Sequence, residues 1–489
     1  LLRGLALLLA VSALAERAHS APLASEASNA LHRAIQFFRT EVAVQGTYVW
    51  EYSEDLTLRE GEGVVTATQG WVQPPGTPAV GMAFLQAYEA TAHPEFLAAA
   101  RESAAGLRLG QLMSGGWYAS IDFAPQQRGQ MAYRLGGNPR KRNTSTLDDD
   151  ITPSALRFLM RLDRVLGFKE SSVHDVVVMG LKGMVGAQYP NGAWPQVFQG
   201  PPDASKHPVR PAAFPESWPR TYPGHQNYWY FYTLNDNVLA NVIETLFEAE
   251  TTYTASPDPE DQALARACRT AAERGGEFIL RAQLPEPQPA WAQQYNFDMH
   301  PSWARKFEPP AVTGGESQQI MRTLMDLYRR TGDAKYLEPI PRSLAYLKRS
   351  RLPNGRLARF YELKTNRPLY FTTDYELTYD DGDMPTHYSF KVGDGTAAIE
   401  REFQHVQATP WPQLKAEMTR KTARPDPAAV RRVFEAQDVR GRWVEPGPLR
   451  FHRPKDPGIN VIRCSTFVKN VELLSRFLEG EKEGSSTDQ

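Results

Sequence analysis

The sequence predicts an all-α dominated fold: an (α/α) toroid of helical hairpins with short β-strands and long loops at its ends. Three observations carry that prediction. Four segments repeat one helix–loop–helix layout, apolar residues recur in them at helical spacing, and each ends in a Gln or Arg before a polar loop rich in Gly, Pro and aromatics. One α-hairpin cannot bury its apolar face alone, so neighbours must stack into a solenoid or close into a ring. Ring closure is favoured because it gathers the loops after every second helix at one end, where a rigid scaffold presents binding residues.

Taken in order, the chain opens on "LLRGLALLLAVSALAERAHSAP", with Arg3, an apolar run from Leu5 to Leu14, and small residues at Ala18 and Ser20 before Ala21. This is a secretory signal pattern, too short to span a membrane, so residues 1–20 are expected to be a signal peptide and the protein to be secreted or periplasmic. The first hairpin runs through residues 79–111 into "LMSGGWYASIDF", and the second through 151–188 into "YPNGAWPQVF". The third covers 236–283 and leads into "LPEPQPAWAQQYNFD"; the fourth covers 317–351 and leads into "LPNGRLARFYEL". The repeat is roughly 70 to 95 residues long. Flanking stretches such as "GTYVWEYSEDLTLREGEG" and "PLYFTTDYELTYDDGDMPTHYSF" predict short strands and long loops. The toroid is expected over 30–480, and 481–489 as a disordered tail.

The 489 residues carry a formal net charge of −1 with interspersed signs, which argues against a nucleic-acid binder. No later apolar run is long enough for a membrane span. Cys268 and Cys464 fit one bridge or two buried thiols, in a core too large to depend on a disulfide.

Chemistry concentrates at helix starts and in the loops. Asp148, Asp149 and Asp150 precede the second hairpin, and Asn235 and Asp236 precede the third, each after Thr-Leu. Equivalent helix starts in a ring face the same end, so both acidic turns can meet at one pocket as hard oxygen ligands suited to Ca²⁺. A single Asp at such a place is also an ordinary helix cap, but a cap needs only one of the three. Arg305 and Arg359 share an Ala-Arg setting with aromatics and a Glu close behind, and Arg367 follows, so guanidinium forks stand where sugar carboxylates could be gripped. Pairing with Glu308 or Glu362 as a structural bridge is the competing reading. Trp117, Trp194 and Trp303 lie in the polar loops, where they either stack on sugars or pack inward.

Five ordered motifs, "TATQGWVQPPGTPAVGMAFLQAYEAT", "STLDDDITPSALRFL", "GAQYPNGAWPQVF", "TLNDNVLANVIETL" and "LARFYELKTNRPLYF", resemble the pectate lyases of polysaccharide lyase family ten. The resemblance covers most of the chain after about Ile35 and implies an incomplete (α/α) toroid and Ca²⁺-assisted β-elimination on polygalacturonate, an acidic polysaccharide, by a monomer. By motif position it implies Asp148 and Asp236 near the metal, Asp148 also in catalysis, and Arg305 as the Brønsted base; the acidic run itself adds Asp149 as an expected metal ligand. Arg359, Arg367, Asn366 and Trp194 are then expected to bind substrate. The chain departs from the family pattern at Asp149-Asp150, where Asn-Gly is usual, and at Thr373, where many relatives carry an arginine. Two other readings stay open: a glycoside hydrolase on a helical toroid using Asp148 and Asp236 as acid and base, and a non-catalytic uronate-binding protein.

Overall fold

The computed structural model describes residues 23–420, 423–452 and 458–486, with side chains through 480. The expected signal sequence at 1–20 lies outside the described residues. Helix α1 (23–37) runs into a π-helical turn at Phe38–Val42. The first hairpin is α2 (Thr77–Thr91) with α3 (Pro94–Gly110), followed by a single turn, α4 (Pro125–Arg128). The second is α5 (Ile151–Val165) with α6 (Ser171–Gly186), and the third α7 (Val238–Thr254) with α8 (Pro259–Ala282). The fourth is α9 (Gly314–Thr331) with α10 (Ile340–Arg349). All four hairpins expected from the repeat are present.

The first helices of the hairpins pack side by side, α2 on α5 and α5 on α7, while the second helices form an outer layer, α3 on α6 and α6 on α8. Helix α5 shows how the sequence sets this. Its apolar residues Ala155, Leu156, Phe158, Leu159 and Leu162 are buried, whereas Arg157, Arg161 and Arg164 fall on one stripe at helical spacing. From that stripe Arg157 reaches Thr245 of α7, and Arg161 reaches Glu89 of α2. A hydrogen bond to α7 and a salt bridge to α2 thus cross from α5 to its neighbouring first helices.

The chain ends differ from the strands and loops expected there. The aromatic stretches do form short strands, but the C-terminal part also contains α11 (Thr396–Ala408), α12 (Trp411–Met418), α13 (Pro427–Glu435) and α14 (Cys464–Ser486). Helix α14 packs on α2, and the strand Asn460–Arg463 pairs antiparallel with Glu51–Ser53, so the C-terminal segment fills the place beside the first hairpin. It also continues six residues into the tail expected to be disordered from 481. A second sheet, in the order Leu377–Thr378, Pro368–Phe371, Phe360–Glu362, Ala311–Thr313, leads directly from its last strand into α9. Cys268 and Cys464 are separate buried thiols.

Candidate active site

The two acidic helix starts have one conformation. Asp149 (φ 48°, ψ 32°) and Asp150 (φ 62°, ψ 20°) match Asp236 (φ 48°, ψ 31°) and Asn237 (φ 59°, ψ 19°). Two consecutive left-handed residues that are not glycine are uncommon, and Asp and Asn tolerate that region best. The matched turns pair Asp149 with Asp236 and Asp148 with Asn235. They pack against each other, and carboxylate oxygens of Asp148, Asp149 and Asp236 all lie within 4.8 Å of one another.

These carboxylates are reached by solvent but crowded by protein. Burial, then the charges of Asp236 and Asp149, push the Asp148 carboxyl up to about 8. Burial, then Asp149 and Glu316, push Asp236 up to about 7. Burial also raises Asp149, against the pull of Arg305. Asp148 Oδ1 is buried with no hydrogen-bond partner among the described residues. A trio of mutually repelling carboxylates with an orphaned oxygen is a donor set that fits a hard divalent cation. Asp150, the third residue of the run, does not join it: its carboxylate is paired with Arg157.

The surroundings position the trio. Gln73 Nε2 donates to Asp149 Oδ2 at 3.0 Å and is itself held by Trp71 Nε1 at 3.2 Å. Asn235 Nδ2 donates to Asp236 Oδ2 at 2.7 Å. Arg305 lies close enough to lower the carboxyls of Asp148, Asp149 and Asp236. Its guanidinium forks onto Glu308, with Nε to Oε2 at 2.7 Å, and Glu308 is buried, with its side chain 1% exposed. Burial alone would favour neutral Arg305, but the bonds and charge of Glu308 outweigh it and hold the guanidinium above its ordinary value. The structural bridge weighed for Arg305 is therefore real in the free chain. Tyr388 links the two arginines: its hydroxyl donates to Glu308 at 3.0 Å, and its ring lies 5.6 Å from the Arg305 guanidinium carbon and 4.6 Å from that of Arg359. Arg359 donates to Glu316 at 3.3 Å and to the Ser389 carbonyl at 2.6 Å; its acidic partner is Glu316, not Glu362.

Other expected residues stand elsewhere. Trp194 is fully buried and its indole nitrogen donates to the Met184 carbonyl at 2.8 Å, so it cannot stack on a sugar. Trp117 is buried in the same way on Leu107, and Trp303 donates to Pro219. Asn366 also departs from expectation: it is a left-handed turn residue (φ 60°), and its side chain accepts from Tyr346 at 2.6 Å and donates to Ser350 at 2.8 Å, which commits it to the scaffold. Arg367 is exposed and lies over the Tyr379 ring at 3.4 Å. The ladder pairs Phe360 with Leu369 and Tyr361 with Pro368, which places Arg367 about 10 Å along the strands from Arg359. Gln73, Glu316 and Tyr388 are not among the residues the sequence points to, although Gln73 lies inside the motif "TATQGWVQPPGTPAVGMAFLQAYEAT" and Tyr388 inside the stretch "PLYFTTDYELTYDDGDMPTHYSF".

A neighbouring cavity of about 640 Å³, lined by Tyr189, Phe198, His207, Tyr230 and Phe297 among others, contains no arginine. It adjoins the acidic turn through the pairing of Val197–Phe198 with Ser145–Thr146, but the carboxylate trio lies outside it.

The sequence profile of the pectic acid lyases matches residues 111–208 and 214–354. Among solved structures, the chain is similar to the family 10 polysaccharide lyase from Cellvibrio cellulosa, at 21% identity over 67% of this chain and 97% of that one, with a TM-score of 0.45. A mutant of that enzyme in complex with trigalacturonic acid gives the same identity and TM-score over 68% and 98%. The α-mannanase of family GH76 from Bacteroides thetaiotaomicron aligns at 10% identity over 95% and 97%, with a TM-score of 0.41. No curated protein matches significantly.

Proposed function

From the premise that this chain belongs to the pectic acid lyase family and is a polysaccharide lyase, we propose that it cleaves polygalacturonate by β-elimination, with Ca²⁺ held by Asp148, Asp149 and Asp236. The observation that carries this reading is the meeting of carboxylates from two separate hairpins beside Arg305. Family membership sets aside the hydrolase reading.

β-Elimination removes the proton on C5, turns that C–H electron pair into the C4=C5 double bond, and expels O4 with the C4–O4 pair; O4 then takes up a proton. The C5 proton is weakly acidic because the adjoining carboxylate is already negative. When bound, a divalent cation supplies Lewis-acid neutralisation of that carboxylate. Three carboxylates offer at most six oxygens of the six to eight that Ca²⁺ takes, so uronate oxygens can complete the set. Arg359, resting on Tyr388 and free of a bidentate partner, is placed to grip a uronate carboxylate. Arg367, further out and exposed, suits a more distant uronate.

Arg305 is the proton acceptor of this proposal, and Glu308 sets the condition for it. A guanidinium forked onto a buried carboxylate is held protonated. It can act as a base only once that pairing is loosened and pH is high, so turnover is expected to rise into the alkaline range.

The test is ultraviolet absorbance of the unsaturated product on polygalacturonate, with Ca²⁺ or with EDTA. The expected result is growth with Ca²⁺ and none with EDTA. Growth indifferent to EDTA, or reducing ends released without the absorbance, would refute the proposal.

A further inference from the structure

On α1 and at the turn between α2 and α3 lies a second group of ligand-type side chains, with a composition unlike the acidic trio. His32 comes from α1, His93 is the N-cap residue of α3, and Glu95 lies in the first turn of α3. One donor atom from each lies within 4.8 Å of the others. The two imidazoles meet edge to face with centroids 4.0 Å apart, and both pack on Phe96, at 4.7 and 5.1 Å. His93 Nδ1 is buried with no hydrogen-bond partner among the described residues. His93 also makes no side-chain cap bond to α3, so capping does not account for it.

A buried imidazole nitrogen without a partner carries a desolvation cost that a hydrogen bond or a metal would remove. Two imidazoles and one carboxylate are the ligand set of open zinc sites, with the fourth position left to water. Ligands 2.0–2.1 Å from a tetrahedral ion stand about 3.3 Å apart, so side-chain rotations from within 4.8 Å would close the set. Imidazole ligands select the Zn²⁺ class over Ca²⁺, which takes oxygen. The site is at the α2–α3 turn, the opposite end of the hairpin from the Thr77 start of α2 and the loop after α3.

We propose that His32, His93 and Glu95 form a site for a divalent cation of the Zn²⁺ class, with the fourth position open to water, tying α1 to the first hairpin independently of the Ca²⁺ cluster.

The test uses the full chain carrying Asp236→Asn, so that the cleft trio does not compete, stripped of metal and titrated with Co²⁺ and then Zn²⁺. One equivalent of Co²⁺ is expected to give visible d–d absorption that Zn²⁺ displaces, and Zn²⁺ to raise the melting temperature. His32→Asn and His93→Asn should each weaken Zn²⁺ binding about tenfold or more, and Glu95→Gln by less. Should a histidine variant fail to fold, carbethoxylation of the unmutated chain read by mass spectrometry replaces it: Zn²⁺ is expected to protect His32 and His93 selectively. Absence of the Co²⁺ band in the Asp236→Asn chain, a band retained in both histidine variants, or no protection by Zn²⁺ would overturn the proposal.

Discussion

At the residue scale, the triple aspartate separates into two roles. Asp150 neutralises Arg157 between α5 and α7, while Asp148 and Asp149 meet Asp236. Asp148 and Asp236 have folded values near 8 and 7 against an unfolded value near 3.8. The folded chain therefore binds more protons than the unfolded chain between these limits, and their contribution to stability falls as pH rises from about 4 through 7 and 8. A cation that replaces those protons must have the opposite dependence. Ca²⁺ is expected to raise the melting temperature little at pH 5 and clearly at pH 8.5, and Asp236→Asn should remove most of that difference; a shift of equal size at both values would contradict it. Glu308→Gln tests the base. Removing that charge lowers the pKa of Arg305, so the alkaline rise in kcat is expected to move to lower pH, whereas an Arg305 acting only as a charged ligand would leave the rise in place. The acidic residues were legible because Thr-Leu followed by Asp or Asn-Asp recurs before two helices. Trp194 and Asn366 were not, because a loop aromatic and a turn amide look alike in sequence whether they face solvent or the scaffold.

At the scale of elements, the loops after the second helices repeat in detail. Gln111 donates to the Gly115 carbonyl and to Val176 of α6, and Gln188 donates to the Gly192 carbonyl and to Ala271 of α8. Each therefore joins its own loop to the outer helix of the next hairpin. Gly115 (φ +104°) and Gly192 (φ +92°) sit two residues before Trp117 and Trp194, where a Cβ would meet the Met179 or Arg274 carbonyl at 2.8 or 2.1 Å. The indoles of Trp117, Trp194 and Trp291 then satisfy carbonyls at the ends of α3, α6 and α8. Trp194→Phe is expected to cost about 1–3 kcal/mol in urea unfolding, since it leaves the Met184 carbonyl buried and unpaired, while KM stays unchanged; a large rise in KM without loss of stability would return Trp194 to the substrate. The hairpins and the closing Gln were readable because each lies within one repeat. Their cross-hairpin partners were not, since nothing local marks which carbonyl 65 or 83 residues away will accept.

At the scale of the molecule, the C-terminal helix completes the packing begun by the first hairpin. Phe467 of α14 stacks on Phe38 at 3.7 Å and meets Phe84 of α2 edge-on at 5.7 Å. Phe467, Val471, Leu474 and Leu478 recur at helical spacing, so α14 itself was legible. Its seat against α2 is a contact across nearly the whole chain, which local periodicity does not encode. Phe467→Ala is expected to destabilise the fold by about 3–5 kcal/mol in urea unfolding, with Ca²⁺ affinity of the surviving folded fraction unchanged. Loss of Ca²⁺ binding without loss of stability would mean that α14 bears on the site directly.

The whole arrangement matters because it brings two helix starts, 87 positions apart, into one cluster. The most direct measurement is calorimetric titration of Ca²⁺ at pH 8.5, with and without trigalacturonate, into the parent chain and into Asp148→Asn and Asp236→Asn. Binding is expected to tighten with the uronate and to be lost in each variant. Equal Ca²⁺ affinity in either variant, or no effect of the uronate, would contradict that expectation.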